Sequence, residues 1–494
     1  MASKMGLSKS KYCRGLQCPK MLWMDMNKPE EAEDLNNEFI FETGTKVGDL
    51  ARSYFGEYSL VDFDFNKSSM VDQTLKYISD GANNIAEASF LADGLYCAVD
   101  ILHRNDDGWD IIEVKSSAHV SEIYIEDMAF QYYVLTRSGV DVSHIYNLHI
   151  NNLYVFHDQL DIQGLFVLED YTSICKNKFA EVESNINRIR EYNDTDTEPV
   201  KDIDECCNRP YECAYKGYCW KHIPENSVFN IANLGSNKKF DYYKNGIISY
   251  EDIISKQPPL NPKQYRQVES QYYSRPDSID IPMIRSFLAE LSYPIYHLDF
   301  ETFQLAIPIW EGCVPYEQIP FQYSIHIENQ DGKIEHREFL AKEGIDPRLT
   351  LAENLCRDIP VGGCVLAYNM SFEKTVIRKL AEQFPDLSDH LICIHDNIHD
   401  LMVPFQRQYY YSAAMKGSYS IKYVLPALFP NDPELDYHSL EGIHKGDEAS
   451  AAFADLPNHT PEEISVIRNN LLKYCGLDTF AMVKVLGKLK QCCK

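Results

Sequence analysis

Apolar and polar positions follow two periods along this chain. Around 295–301 the run Ile-Tyr-His-Leu-Asp-Phe-Glu is apolar with acids on alternate positions. Such a run predicts a buried strand whose i and i+2 side chains share a face. Further strands are predicted at 320–327 and 335–340, then a strand–helix unit over 363–384, with helical spacing through the rest. In the first half the pattern predicts a helix over 37–55, a hairpin over 95–114 around a polar turn at 105–108, and an amphipathic helix over 123–136. Between the halves the chain turns polar and carries Pro258, Pro259, Pro262, Pro276 and Pro282. This reads as a connector with short helices. The expected organisation is α/β, with blocks at 1–225, 226–286 and 287–494, and no internal repeat is visible.

Composition narrows the function. With 494 residues, two or three domains are expected. The formal net charge of −27, from 74 acids against 47 bases, argues against a generic basic nucleic-acid binder. It leaves room for a nuclease, whose metal-site acids add to the count. No apolar run approaches the roughly 20 residues of a membrane span, and Met1–Ser10 lacks the apolar core of a signal peptide. A cytoplasmic protein with no membrane partner is expected. Of 15 cysteines, Cys206, Cys207, Cys213 and Cys219 crowd into one short stretch. In a reducing compartment that crowding points to a metal or iron–sulfur site.

Asp299 and Glu301 share a strand face in the 295–301 run. Tyr474 and Asp478 sit at i and i+4, the same face of a helix. Buried like charges are costly unless neutralised, and a pair of divalent cations both neutralises them and creates a hydrolytic site. Asp299-Phe-Glu301, then Leu366-Ala-Tyr-Asn369-Met-Ser-Phe-Glu373, then Tyr474-x3-Asp478 resemble in order the motifs of DnaQ-like (DEDD) 3′–5′ exonucleases of the tyrosine subclass. The resemblance covers the last 200 or so residues. It implies a ribonuclease H-like fold (a mixed sheet flanked by helices) and two Mg²⁺ or Mn²⁺ ions. Asp299 would bridge them, Glu301 and Asp478 would complete the shells, and Tyr474 would orient the attacking water. Glu373 departs from the family, which usually has aspartate there. Asp400 is a rival acid that reads first as a helix N-cap.

The hairpin places Asp100 opposite Glu113 and Lys115. On bland grounds Glu113 and Lys115 are a surface cross-strand ion pair. The array Asp100…Glu113-x-Lys115, followed on a helix by Gln131, resembles the RecB-like PD-(D/E)XK nucleases, which have a restriction-endonuclease-like fold. Two departures are Leu135 where a tyrosine is usual and a first-helix stretch, 41–49, without histidine. Glu42 is a candidate acidic substitute there. The acids would hold Mg²⁺ or Mn²⁺, Lys115 would position the water, and Gln131 would complete the motif. One early cysteine with three late ones resembles the iron–sulfur staple of AddB-like and CRISPR-associated RecB-like nucleases. That resemblance implies a [4Fe–4S] cluster on Cys18, Cys207, Cys213 and Cys219, with Zn²⁺ as the alternative. Cys13 and Cys206 are spare candidates. Tyr132, Tyr133, Phe303, Tyr409, Tyr410 and Tyr411 are candidates to stack on bases, each first of all a core residue.

The expected protein is a nuclease with two sites, acting on single strands or ends of nucleic acid, DNA placed ahead of RNA. The chain resembles a bacterial family with this two-domain order, and by analogy a role in DNA repair or in defence against foreign DNA is expected. Two alternatives stay open: only one domain cuts and the other is a binding module, or the chain is a non-enzymatic subunit that recruits partners.

Overall fold

The structure is a computed structural model that describes residues 6–35, 38–193 and 195–494. The chain is mixed α/β and divides into two units. The first takes Met1–His222 with Leu305–Tyr316, the second Ile223–Gln304 with Glu317–Lys494.

The first unit is built on a mixed sheet. Its strands are β1 (Leu7–Ser8), β2 (Ser59–Leu60), β3 (Asn84–Ala92), β4 (Leu95–Arg104), β5 (Trp109–Lys115), β6 (Val142–Ile150) and β7 (Phe166–Asp170). They run in the order β2-β3-β4-β5-β6-β7, with β1 alongside β4. The predicted hairpin is β4 and β5. Its turn closes with Asn105 N–H donating to Gly108 O at 3.0 Å and Gly108 N–H to the Asn105 Oδ1 at 2.8 Å, an arrangement asparagine favours in turns. The helix expected over 37–55 is Glu38–Ala51, Asn37 lying outside the described residues, and the amphipathic helix is Glu122–Arg137. The latter packs Met128, Phe130, Val134 and Leu135 into the core formed with Phe90, Val99 and Ile111. The segment Leu305–Tyr316, expected with the last block, belongs to the first unit. Ala306 and Ile307 join its second apolar cluster, and Phe156 N–H donates to Cys313 O at 3.0 Å.

The second unit holds β8 (Ser278–Ile279), β9 (Ile295–Phe303), β10 (Ile319–Glu328), β11 (Ile334–Leu340), β12 (Cys364–Ala367), β13 (Ile398–Asp400) and β14 (Tyr410–Tyr411). The main sheet runs β11-β10-β9-β12-β13. β9, β10 and β11 are antiparallel neighbours, while β12 and β13 are parallel to β9. Continuous burial along β9 and β10 explains their near-unbroken apolar runs. The stretch 226–286 carries the short helices expected of it, and also a small apolar core that was not expected. It packs within the second unit, with Val228, Ile231, Tyr250, Ile253 and Val268 forming an apolar cluster among short capped helices. Among the described residues no helix is long and apolar enough to cross a membrane.

Candidate functional site

In the second unit the central strand and the terminal helix, Pro461–Cys492, bring the acids together. Asp299 and Glu301 point from the same face of β9, opposite Ser324 and Gln322 of β10. The register shifts between Pro320 and Gln322, an irregularity of the kind found beside active sites. The terminal helix is seated on β10 by polar contacts. Gln322 Nε2 donates to Leu471 O at 2.9 Å, and the Thr479 hydroxyl lies 2.7 Å from Ser324 Oγ and 2.8 Å from His326 Nδ1. That seat sets Tyr474 and Asp478 over β9. Ligand atoms of Asp299, Glu301 and Asp478 all lie within 4.8 Å of one another.

Among the described residues no lysine or arginine forms an ion pair with these three carboxylates. Burial, then the charges of Asp478, Glu301 and Glu373, push Asp299 well above the usual range. Burial and the charge of Asp478 do the same to Glu301. Asp478 rises to about 6 through burial, against the pull of a hydrogen bond from the Tyr437 hydroxyl at 2.6 Å and the charge of Lys422. Like charges at this spacing cannot all ionise without a cation. The donor set therefore fits divalent metal, which when bound supplies Lewis-acid stabilisation of phosphoryl charge.

Glu373 is reached through a short turn. Asn369 adopts φ +72, a left-handed conformation asparagine tolerates, and its side chain accepts from Ser371 Oγ at 2.9 Å as the helix Ser371–Gln383 begins. Glu373 sits in the first turn of that helix, 2 % exposed, with Oε2 lacking a hydrogen-bond partner. Its charge raises Asp299, yet it lies outside the group of three. Asp400 accepts from Asn369 N–H and Met402 N–H, each at 2.9 Å, and so fastens the turns that follow β12 and β13. Tyr474 is buried, its hydroxyl pushed up by burial and the acids around it. The tyrosine that donates to Asp478 is Tyr437, which sequence reasoning missed. It opens a single 3-10 turn, Tyr437–Ser439, too short to leave a periodic signal.

In the first unit the array is wider than sequence suggested. Glu113, 1 % exposed, accepts from Lys115 Nζ at 2.5 Å, from Gln131 Nε2 at 2.5 Å, and from Lys9 Nζ at 3.0 and 3.2 Å. Lys115 Nζ also donates to Asp127 Oδ2 at 3.2 Å, and Lys9 Nζ stands 3.6 Å from it. The pairing of β1 with β4, and Ser8 capping the next helix, bring Lys9 here. Asp100 Oδ2 accepts from Val114 N–H at 2.7 Å. Burial outweighs the nearby lysines to raise Asp100 to about 7 and Asp127 to about 6, Glu113's charge adding to both. In Glu113 the lysines, with the Gln131 hydrogen bond, outweigh burial, and its carboxyl is held well below the usual range. Lys9 and Asp127 were missed. Asp127 precedes Gln131 by four on one helix face, a legible signal, whereas nothing local announces Lys9. Asp127 Oδ1 and Gln131 Oε1 are buried without hydrogen-bond partners.

The four expected cysteines line one small cavity together with Cys206, Met21, Met24, Ile203 and Tyr215. Hydrogen bonding from the Cys206 thiol is the first cause that lowers Cys207 to about 6 and Cys18 to about 7. Burial raises Cys213 to about 11. Cys13 lies instead near the acids of the first site, its thiol pushed up by burial and the Asp127 charge. Of the candidate stacking rings, Tyr133, Phe303, Tyr410 and Tyr411 are buried.

Residues 296–420 match the model of a domain of unknown function, DUF2779. The match includes Asp299, Glu301 and Glu373 and ends before Tyr474 and Asp478. No curated protein matches the chain.

Proposed function

We propose that this chain is a divalent-metal-dependent nuclease whose cutting site is the Asp299–Glu301–Asp478 cluster. The observation that carries the reading is the approach of these three carboxylates, from two separate elements, to within 4.8 Å, with no basic ion-pair partner among the described residues. The charge of Glu373 helps to raise Asp299. Tyr437 holds Asp478 through a hydrogen bond. The order β11-β10-β9-β12-β13, with only β10 antiparallel to its central neighbour, supports the ribonuclease H-like reading and a 3′–5′ exonuclease of DnaQ type. The Asp100–Glu113–Lys115–Gln131 array supports a second, RecB-like site with a restriction-endonuclease-like sheet.

Cys18, Cys207, Cys213 and Cys219 line one small cavity, a four-thiol set that supports a [4Fe–4S] cluster, with Zn²⁺ as the alternative that four thiolates also suit.

The test is degradation of end-labelled single- and double-stranded DNA and RNA by the full chain with Mg²⁺ or Mn²⁺. Asp299→Asn is expected to abolish exonucleolytic products, and Asp100→Asn to remove a separate activity. No cleavage of any substrate by a folded, metal-loaded sample would sink the proposal. One observation favours a variant in which only the second unit cuts. Glu113 is already neutralised by two lysines, so the first unit would then bind the strand without cutting it. Asp100→Asn leaving every product unchanged is the result that would select this variant.

A further inference from the structure

Two adjoining cavities in the second unit, of about 390 and 370 Å³, share Ala232, Asn233, Gln267 and Ser418 in their walls. They form one groove between the helical stretch after residue 223 and the segment 405–423. Gln267 builds its floor. Its Nε2 donates to Asn230 O at 2.8 Å and Lys416 O at 3.0 Å, and its Oε1 accepts from Ala232 N–H at 2.9 Å. Gly417, at φ +77, approaches so closely that a Cβ there would lie 2.2 Å from Gln267 Oε1.

The lining is unusual for so acidic a chain. Lys263 and Arg407 line the first cavity with no acid beside them, and Lys239 and Lys416 line the second with Glu225 alone. Three of these cations have neutral partners, while Lys416 Nζ pairs with the exposed Glu225 at 3.5 Å. Lys263 Nζ donates to Gln406 O at 2.7 Å, Lys239 Nζ to Phe229 O at 2.8 Å, and Arg407 Nη1 to the Tyr409 hydroxyl at 3.3 Å. A carbonyl or hydroxyl partner orients a cation without cancelling its charge. Tyr411, 3 % exposed, lines the first cavity as well. Amides of Asn233, Asn261 and Gln264 and the ring of Tyr419 complete the wall.

One wall of the groove is tied to the turn that follows β12, the strand beside β9. Tyr419 O accepts from the Tyr368 hydroxyl at 2.7 Å, one residue before the Asn369 turn. Lys422, three residues on, is the cation whose charge lowers Glu301 and Asp478. The three cations without an acidic partner, the amide edges and the aromatic rings together fit a single-stranded nucleic acid, whose phosphates, base edges and base faces they match. We infer that this groove binds the substrate strand and feeds its end towards Asp299, Glu301 and Asp478. The inference rests on the nuclease reading for its direction and stands alone for its ligand.

The test is fluorescence anisotropy of a labelled 15-nucleotide single strand on the full chain in EDTA, which excludes cleavage. The double variant Lys263→Gln/Arg407→Gln is expected to bind about tenfold more weakly, with a salt dependence shallower by about 0.7 for each cation removed. Lys239→Gln/Lys416→Gln, on the other wall, is expected to behave alike, and unchanged melting temperatures would show that folding is intact. Wild-type affinity in both double variants would overturn the groove, as would no binding by the wild type. Cleavage by the wild type with Mn²⁺ is scored separately. Cleavage with groove-independent binding sinks the groove alone, and groove-dependent binding without cleavage sinks the nuclease reading alone.

Discussion

At the residue scale the second unit is organised around acids that resist ionisation. Glu373 is moved from an ordinary 4.5 to about 8, burial being the main cause and the charge of Asp400 adding to it. A carboxyl raised in the folded state favours folding fully below its unfolded pKa. That advantage fades as pH climbs from about 4.5 and is gone above about 8. Glu373→Gln, neutral at every pH, is therefore expected to match the metal-free wild type near pH 4. It should become the more stable protein by a few kcal/mol at pH 8, as read from urea unfolding in EDTA. A pH-independent difference would show that Glu373 is hydrated and near its ordinary value. The residue scale also marks where sequence was legible. Asp299, Glu301, Tyr474 and Asp478 share faces by spacing alone. Lys9 and Tyr437 carry no such mark, because what places them is the parallel pairing of β1 with β4 and the lie of a single 3-10 turn.

At the element scale, long buried strands declared themselves. β9 and β10 lie within two residues of the runs read from the chain, since strands with buried faces leave apolar runs that polarity alone reveals; β11 also falls within a residue of its expected bounds, though none of its residues is buried. The two-residue strands β1, β2, β8 and β14 are too short for any period to register. The short helices of the connector were legible, but its apolar cluster was not, because its apolar residues are spread among prolines and capping residues and meet only in three dimensions. The terminal helix is the element that decides the site. Its seat runs through Thr479, fully buried, which touches both Ser324 and His326. Thr479→Val keeps the shape and removes these hydrogen bonds, leaving His326 Nδ1 unsatisfied in a buried setting. A loss of about 1–2 kcal/mol is expected. If the seat aligns Asp478 with β9, Mn²⁺ affinity measured by titration calorimetry should also fall severalfold. Unchanged Mn²⁺ affinity in a destabilised protein would mean that the apolar face of the helix suffices to place Asp478.

At the scale of the whole molecule, the two units carry different means of holding themselves together. All candidate thiolate ligands lie in the first unit, Cys18 near its start and Cys207, Cys213 and Cys219 near the end of its main stretch. Joining points almost two hundred residues apart restricts the unfolded chain heavily. By analogy with disulfides, closing so long a loop is worth on the order of 4 kcal/mol. The acid cluster lies wholly in the second unit, where a bound cation relieves carboxylates held above their usual range. Ligand binding stabilises only the state that binds, and a chain of two units need not unfold in one step. Scanning calorimetry on anaerobically purified protein separates the two effects. Cys207→Ser is expected to lower one transition by several degrees and to bleach a brown chromophore absorbing near 400 nm, while Mn²⁺ raises the other. Asp299→Asn should cancel the Mn²⁺ effect and leave the chromophore intact. A colourless wild type rich in zinc would replace the cluster by a single ion. A Cys207→Ser variant that melts with the wild type would show that these thiols lie together without tying the chain.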